Sequence, residues 1–301
     1  MTRLHSWKNL LAIFFFCTVA PITSSAQIFT TLANLTKSNQ YPMGALVEGL
    51  NGNFYGSTQN NAVNLDGGTI FVVTPAGSVT TLHNLLRSDG GSANELVLNP
   101  DGTFYGTACC GVAGGWGTAF NISARGTFKV LFRFDKAAGI PYAALRAASG
   151  NYYGTTFNGG SNHDGSIFRM DRTGALTTLY SFCPQSNCPD QGMPLSLIQA
   201  TDGNFYGTGG GANPGDDGVI FRITPGGILT TLYSFCTQPG CPDGSFPTSL
   251  VQGADGDFYG TTQFGGLVYG TIFKITSSGI LTTLHVFAQR LTVPMAAHPS
   301  Q

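Results

Sequence analysis

The chain of 301 residues is 10% charged and 12% aromatic, holds 42 glycines and carries a formal net charge of −1. A balance so near neutral, with no polybasic run, argues against nucleic acid as a partner. The abundance of Gly, Thr and aromatic side chains suits tight turns and pleated faces and speaks against long helices.

Met1–Ala26 begins with Arg3 and Lys8, continues through an apolar run from Leu10 to Ala20 and ends in Ser24-Ser25-Ala26. That order reads as a cleaved secretory signal, with an apolar run too short for a comfortable membrane span. Phe16 before Cys17 is too bulky for a lipoprotein cleavage site. Without this segment 12 basic residues face 15 acidic ones, a formal charge of −3. No second long apolar stretch follows, so the mature chain is expected to be exported to the cell envelope or beyond with no stable membrane span.

Residues 28–35 start with Ile-Phe-Thr-Thr-Leu, which matches the last segment of each later repeat, and are expected to form an additional strand. Five repeats follow, at about 41–87, 88–138, 139–190, 191–243 and 244–287, before a tail over 288–301. They are marked by a motif whose second aromatic falls at Tyr55, Tyr105, Tyr153, Tyr206 and Tyr259, in steps of 50, 48, 53 and 53 residues. A fixed period of this size signals a tandem array.

Each repeat divides into four short segments. The first is apolar (Leu46-Val47, Leu96-Val97-Leu98, Leu145, Leu197-Ile198, Leu250-Val251) and leads into an Asn-Gly, Asp-Gly or Ser-Gly pair, a strong hairpin signal. The second is the aromatic strand itself, as in Phe258-Tyr259-Gly260-Thr261-Thr262. Its Gly admits the close approach of a neighbouring backbone or ring. A variable loop separates it from a Gly-x-Ile-Phe segment, seen at Gly165–Phe168 and Gly270–Phe273, and a Gly turn then leads to Leu-Thr-Thr-Leu, as at Leu229–Leu232. Four strands joined by hairpins make one antiparallel sheet per repeat. Such a sheet cannot bury both faces alone, so an all-β fold is expected, a β-propeller of about five four-stranded repeats of about 50 residues. Linear stacking is the alternative, though solenoid coils have shorter periods.

These residues resemble the GloVer tandem repeat of exported bacterial proteins. The resemblance rests on the FYGTT-type strand, the Gly159-Gly160 and Gly265-Gly266 loops, the Gly-x-Ile-Phe strand and the endings Leu229–Phe235 and Leu281–Phe287, and it covers Ile28 to about Phe287. It implies a secreted, propeller-like repeat protein and brings no catalytic residues with it. Members of the family are similar to longer arrays followed by a surface anchor, which is not visible here. Either five blades close with residues 28–35 displaced, or the array is a shortened one.

Cysteine use agrees with export. Cys183 and Cys188, and Cys236 and Cys241, recur at the same place in two successive repeats, which favours the disulfides Cys183–Cys188 and Cys236–Cys241. A zinc site is the sharper alternative, without a supporting His. Cys109 and Cys110 are adjacent, as a vicinal disulfide or as thiols.

Chemistry is sought where the repeats differ. The residue before the first-segment Leu is Ala45, Ala144, Ser196 or Ser249 in four repeats and Glu95 in the second. Innermost strands line a propeller channel, so Glu95 is the one candidate catalytic carboxylate, set against the plain reading of a solvated strand-entrance residue. Loops between the second and third segments carry Trp116, Phe264 and Tyr269, suited to stacking on sugar rings, and Asn162, His163, Asp164, Asp216 and Asp217, suited to hydrogen-bonding a ligand. Turn geometry alone also explains the Asp-Gly pairs. No phosphate loop, nucleophile elbow or paired metal-binding His motif appears, and neither cofactor nor metal is expected. The expected function is a secreted, non-enzymatic binding or scaffold module whose partner is a glycan or a surface protein, with carbohydrate preferred. The alternatives are an exported carbohydrate-active enzyme with a channel carboxylate and a purely structural surface protein.

Overall fold

The computed structural model describes residues 31–35, 40–60, 67–109, 115–184, 188, 190–210, 217–266 and 268–288. The chain parts into two compact units, Met1–Thr31 and Leu32–Gln301, and only Thr31 of the first falls among the described residues. The expected secretory signal, Cys110, Asp216 and all of the tail beyond Ala288 lie outside them.

Unit two is a five-bladed β-propeller. Blade 1 holds β1 (Gln40–Glu48), β2 (Phe54–Asn60), β3 (Thr69–Val73) and β4 (Val79–Asn84). Blade 2 holds β5 (Ser92–Leu98), β6 (Phe104–Cys109), β7 (Thr118–Ile122) and β8 (Phe128–Arg133). Blade 3 holds β9 (Pro141–Arg146), β10 (Tyr152–Thr156), β11 (Ser166–Met170) and β12 (Leu176–Ser181). Blade 4 holds β13 (Pro194–Gln199), β14 (Phe205–Gly209), β15 (Val219–Ile223) and β16 (Leu229–Ser234). Blade 5 holds β17 (Ser245–Gln252), β18 (Phe258–Phe264), β19 (Val268–Ile275) and β20 (Leu281–Ala288). Every sheet is an antiparallel meander in chain order. Among the described residues no helix is long and apolar enough to cross a membrane.

The repeated motif is a structural device. Gly256 takes φ +85° in the turn between β17 and β18, and the side chain of Asp255 accepts the Asp257 N–H at 3.2 Å. The Tyr259 hydroxyl then reaches back to Asp255 at 2.7 Å, a bond that holds the Asp255 carboxyl below its ordinary range. Tyr206 and Asp202 repeat this contact at 2.9 Å. The glycine after the second aromatic makes room for a ring: a Cβ at Gly207 would lie 2.4 Å from Phe221 Cζ and from the Ser196 carbonyl oxygen. Between the third and fourth strands of every blade the register slips at the same place, as at Ile220/Phe221, a bulge that increases the local twist.

The core lies between the blades. Four hydrophobic clusters fill the four seams from blade 1 to blade 5. At each, the second aromatic of one blade meets the first aromatic of the next: Tyr55 on Phe104, Tyr105 on Tyr152, Tyr153 on Phe205 and Tyr206 on Phe258, with ring centroids 3.9–4.2 Å apart. This pairing makes adjacent sheets a continuous packed body. Among the described residues no fifth cluster joins blade 5 to blade 1.

Of the extra strand expected over residues 28–35, residues 28–30 lie outside the described ones, and Thr31–Leu35 carries no strand pairing. Its position is nonetheless telling. The turn glycines Gly126, Gly174, Gly227 and Gly279 sit against the carbonyls of Leu82, Leu131, Leu179 and Leu232, each on the outer strand of the preceding blade. Gly77 of blade 1 sits in the same way against the carbonyl of Leu32.

Candidate functional site at the axis

The first strands of all five blades converge on one cavity of about 340 Å³. Blade 2 contributes Asn94 and Glu95, blade 3 Tyr142, blade 4 Ser196, and blade 5 Thr248 and Ser249, with apolar groups such as Leu197 and Leu250 beside them. Several of these polar groups are already engaged. The Asn94 amide donates to Thr107 Oγ1 at 3.1 Å and to the Pro141 carbonyl at 3.0 Å. Ser196 pairs with Thr208 at 2.9 Å, and Thr248 with Thr261 at 2.9 Å. The Glu95 carboxylate and the Tyr142 hydroxyl have no hydrogen-bond partner among the described residues and remain available to a ligand.

Glu95 is held by its neighbour. Gly44 of blade 1 has φ +65°, and a Cβ there would come within 2.6 Å of Glu95 Cγ. The glycine lets the Glu95 stem pass close to the blade 1 backbone. The ladder also corrects one alignment: Ala144 pairs with Gly154, as Leu96 does with Gly106, so the blade 3 counterpart of Glu95 is Ala143. The third repeat reads Tyr-Ala-Ala-Leu, and its Leu145 stands opposite Tyr153, one step further along.

The loop residues are not gathered at this cavity. Trp116 packs half-buried against the cluster between blades 2 and 3. The Asn162 amide donates to the carbonyls of Cys183 at 2.6 Å and Phe182 at 3.3 Å, tying its loop to the disulfide loop. His163 is exposed, with φ +65°. Asp164 and Asp217 accept the Met193 and Phe246 N–H groups through their backbone carbonyls, both at 2.7 Å. Phe264 and Tyr269 are exposed on one hairpin of blade 5, with Phe264 edge-on to Phe246.

Cys183–Cys188 and Cys236–Cys241 are disulfides, compatible with an oxidising compartment. Their sulfurs lie near Asp190 and Asp217 respectively, but a disulfide sulfur is not the thiolate that binds zinc. The acids have structural partners. Asp190 accepts the Tyr180 hydroxyl at 2.6 Å and the Cys183 N–H at 2.9 Å, and Asp243 accepts the Tyr233 hydroxyl at 2.8 Å and the Cys236 N–H at 3.2 Å. Burial, together with this bond to a carboxylate, pushes the Tyr233 hydroxyl up to about 12 and raises Tyr180 likewise.

The sequence model of the Gloeobacter/Verrucomicrobia repeat matches residues 17–190 and 183–293. The chain belongs to that repeat family. No curated protein matches it. Among solved structures, a streptogramin B lyase is similar with a TM-score of 0.60 at 18% identity, over 83% of this chain and 70% of that one. A PQQ-bound aldose sugar dehydrogenase from Streptomyces coelicolor aligns with a TM-score of 0.56 at 16% identity, over 85% and 84% of the two chains. A gluconolactonase from Xanthomonas campestris aligns with 0.54 at 14%, over 84% and 78%. At such identities the likeness is one of fold, and within the Gloeobacter/Verrucomicrobia repeat family it establishes the propeller and nothing of its chemistry.

Proposed function

We propose that this repeat protein is an exported, non-enzymatic binding module that takes a small carbohydrate at its axis. The observation that carries this reading is the axial cavity, where Glu95 and the Tyr142 ring stand unengaged among hydroxyl-bearing side chains. A carboxylate that accepts hydrogen bonds from sugar hydroxyls, beside an aromatic ring that meets a sugar's C–H face, forms a site for a polyol. Cleavage of a glycosidic bond ordinarily uses two acids, and of the cavity's described lining residues only Glu95 is one. The sugar-directed names of two structural neighbours agree with the ligand class without assigning it.

Binding of the purified protein to a broad glycan array, followed by titration calorimetry on any hit, tests the reading. Glu95→Gln and Tyr142→Ala are expected to weaken the titrated ligand at least about tenfold, the loss of one charge-assisted hydrogen bond or one stacking contact. If Phe264→Ala or Tyr269→Ala abolishes binding while Glu95→Gln leaves it intact, the site belongs to the loop face. A blank array from folded protein refutes the carbohydrate reading.

A further inference from the structure

We infer that the open seam between blade 5 and blade 1 is a docking site for three antiparallel strands of a further repeat of this same kind, carried by another polypeptide. Each of the four sealed seams is closed by the second aromatic of one blade on the first aromatic of the next. The fifth pair, Tyr259 with Phe54, is absent, and both rings are more exposed than any of their counterparts except each other.

The rest of the blade 5 flank agrees. Val251 is 61% and Leu284 51% exposed, where the equivalent side chains of other blades are half-buried. Phe287 is 42% exposed, whereas Leu85, Phe134, Phe182 and Phe235 at the same position are at most 5% exposed. On blade 1, Leu46 is 50% exposed, against 4% for Leu96 and 6% for Leu250. These are the two halves of an interface that occurs four times within the chain, and contiguous apolar surface of this kind marks an interaction site.

Leu32 specifies what fits. Its carbonyl meets Gly77 as the outer-strand carbonyl of a preceding blade would, so the outer-strand place beside blade 1 is already taken by this chain. An intact four-stranded blade would have to displace it. Three strands would not, and their first aromatic would face Tyr259 while their second faced Phe54. Supply of strands by a second chain is a known mode of recognition.

The test mixes the full chain with a fluorescent peptide of residues 191–227 of this sequence, which spans β13 to β15 and carries Phe205 and Tyr206. Saturable binding is expected, weakened about tenfold or more by Tyr259→Ala or Phe54→Ala, or by Phe205→Ala with Tyr206→Ala in the peptide, and unchanged by Tyr142→Ala. Thermal midpoints of the two chain variants within a few degrees of the parent would show that their folds are retained. Absence of binding, or binding indifferent to Tyr259 and Phe54, overturns the inference. So does concentration-dependent self-association in sedimentation that the same two substitutions abolish, because a second copy would then be the occupant.

Discussion

Truncating the same motif tyrosine in blades 4 and 5 should have very different consequences. Tyr206 is 1% exposed, stacks on Phe258 at 4.1 Å and donates to Asp202 at 2.9 Å. Tyr206→Ala removes a buried ring from the seam between blades 4 and 5 and leaves a cavity. Removal of a large aromatic from a core costs about 3–5 kcal/mol. About 0.5–1.5 kcal/mol of this is aromatic pairing, and roughly 1 kcal/mol is the hydroxyl bond. Tyr259 keeps the equivalent bond to Asp255 but has no ring partner among the described residues and is only half-buried. Tyr259→Ala should therefore cost about 1 kcal/mol or less. Urea denaturation followed by tyrosine and tryptophan fluorescence should place the two variants about 3 kcal/mol apart, with equal slopes. Equal losses would mean that Tyr259 is buried in solution and that the fifth seam is closed, which would refute the reasoning.

The glycine of the aromatic strand gives a second contrast: Gly207→Ala places a methyl against both Phe221 and the Ser196 carbonyl and should cost about 3 kcal/mol. Gly226→Ala, whose nearest neighbour is Thr224 Oγ1 at 3.8 Å, should stay within about 0.5 kcal/mol of the parent by the same denaturation assay. The Tyr233 hydroxyl rises from 10.0 to about 12 on folding, so its stabilising contribution is complete below pH 10 and is lost as pH rises toward 12. Denaturation midpoints at pH 9 and pH 11 should accordingly fall less in Tyr233→Phe than in the parent, and equal falls would contradict the assignment. Cys236→Ser with Cys241→Ser opens a loop of sequence separation 5 and should lower stability by only about 2 kcal/mol, leaving the protein folded by circular dichroism. Gly44→Ala should weaken any axial ligand measured by calorimetry, since the new methyl displaces the Glu95 stem while Glu95 itself is intact.

The strand pattern, the turns and both disulfides were legible in the amino-acid sequence because they are local. Asn-Gly and Asp-Gly pairs favour a reversal within four residues, alternating side chains assign faces within one strand, and cysteines five positions apart close a loop on themselves. Repetition of those local signals five times also set the architecture, since a four-stranded sheet of this composition must bury its faces on copies of itself. Local patterns also misled. The Asn162 amide nitrogen, expected to face a ligand, also donates to the Cys183 carbonyl, a contact 21 residues away that the sequence does not announce. Leu145 was aligned by its side chain, whereas the ladder aligns Ala144. What tertiary structure alone decided are relations between blades: that Glu95 meets side chains from four other repeats at one cavity, that Leu32 stands where an outer strand belongs, and that Tyr259 has no ring partner among the described residues. A motif repeated with the same letters in every blade cannot announce which copy is uncovered, because burial depends on what lies across the seam, and the residue carries the same side chain whether its neighbour is present or not.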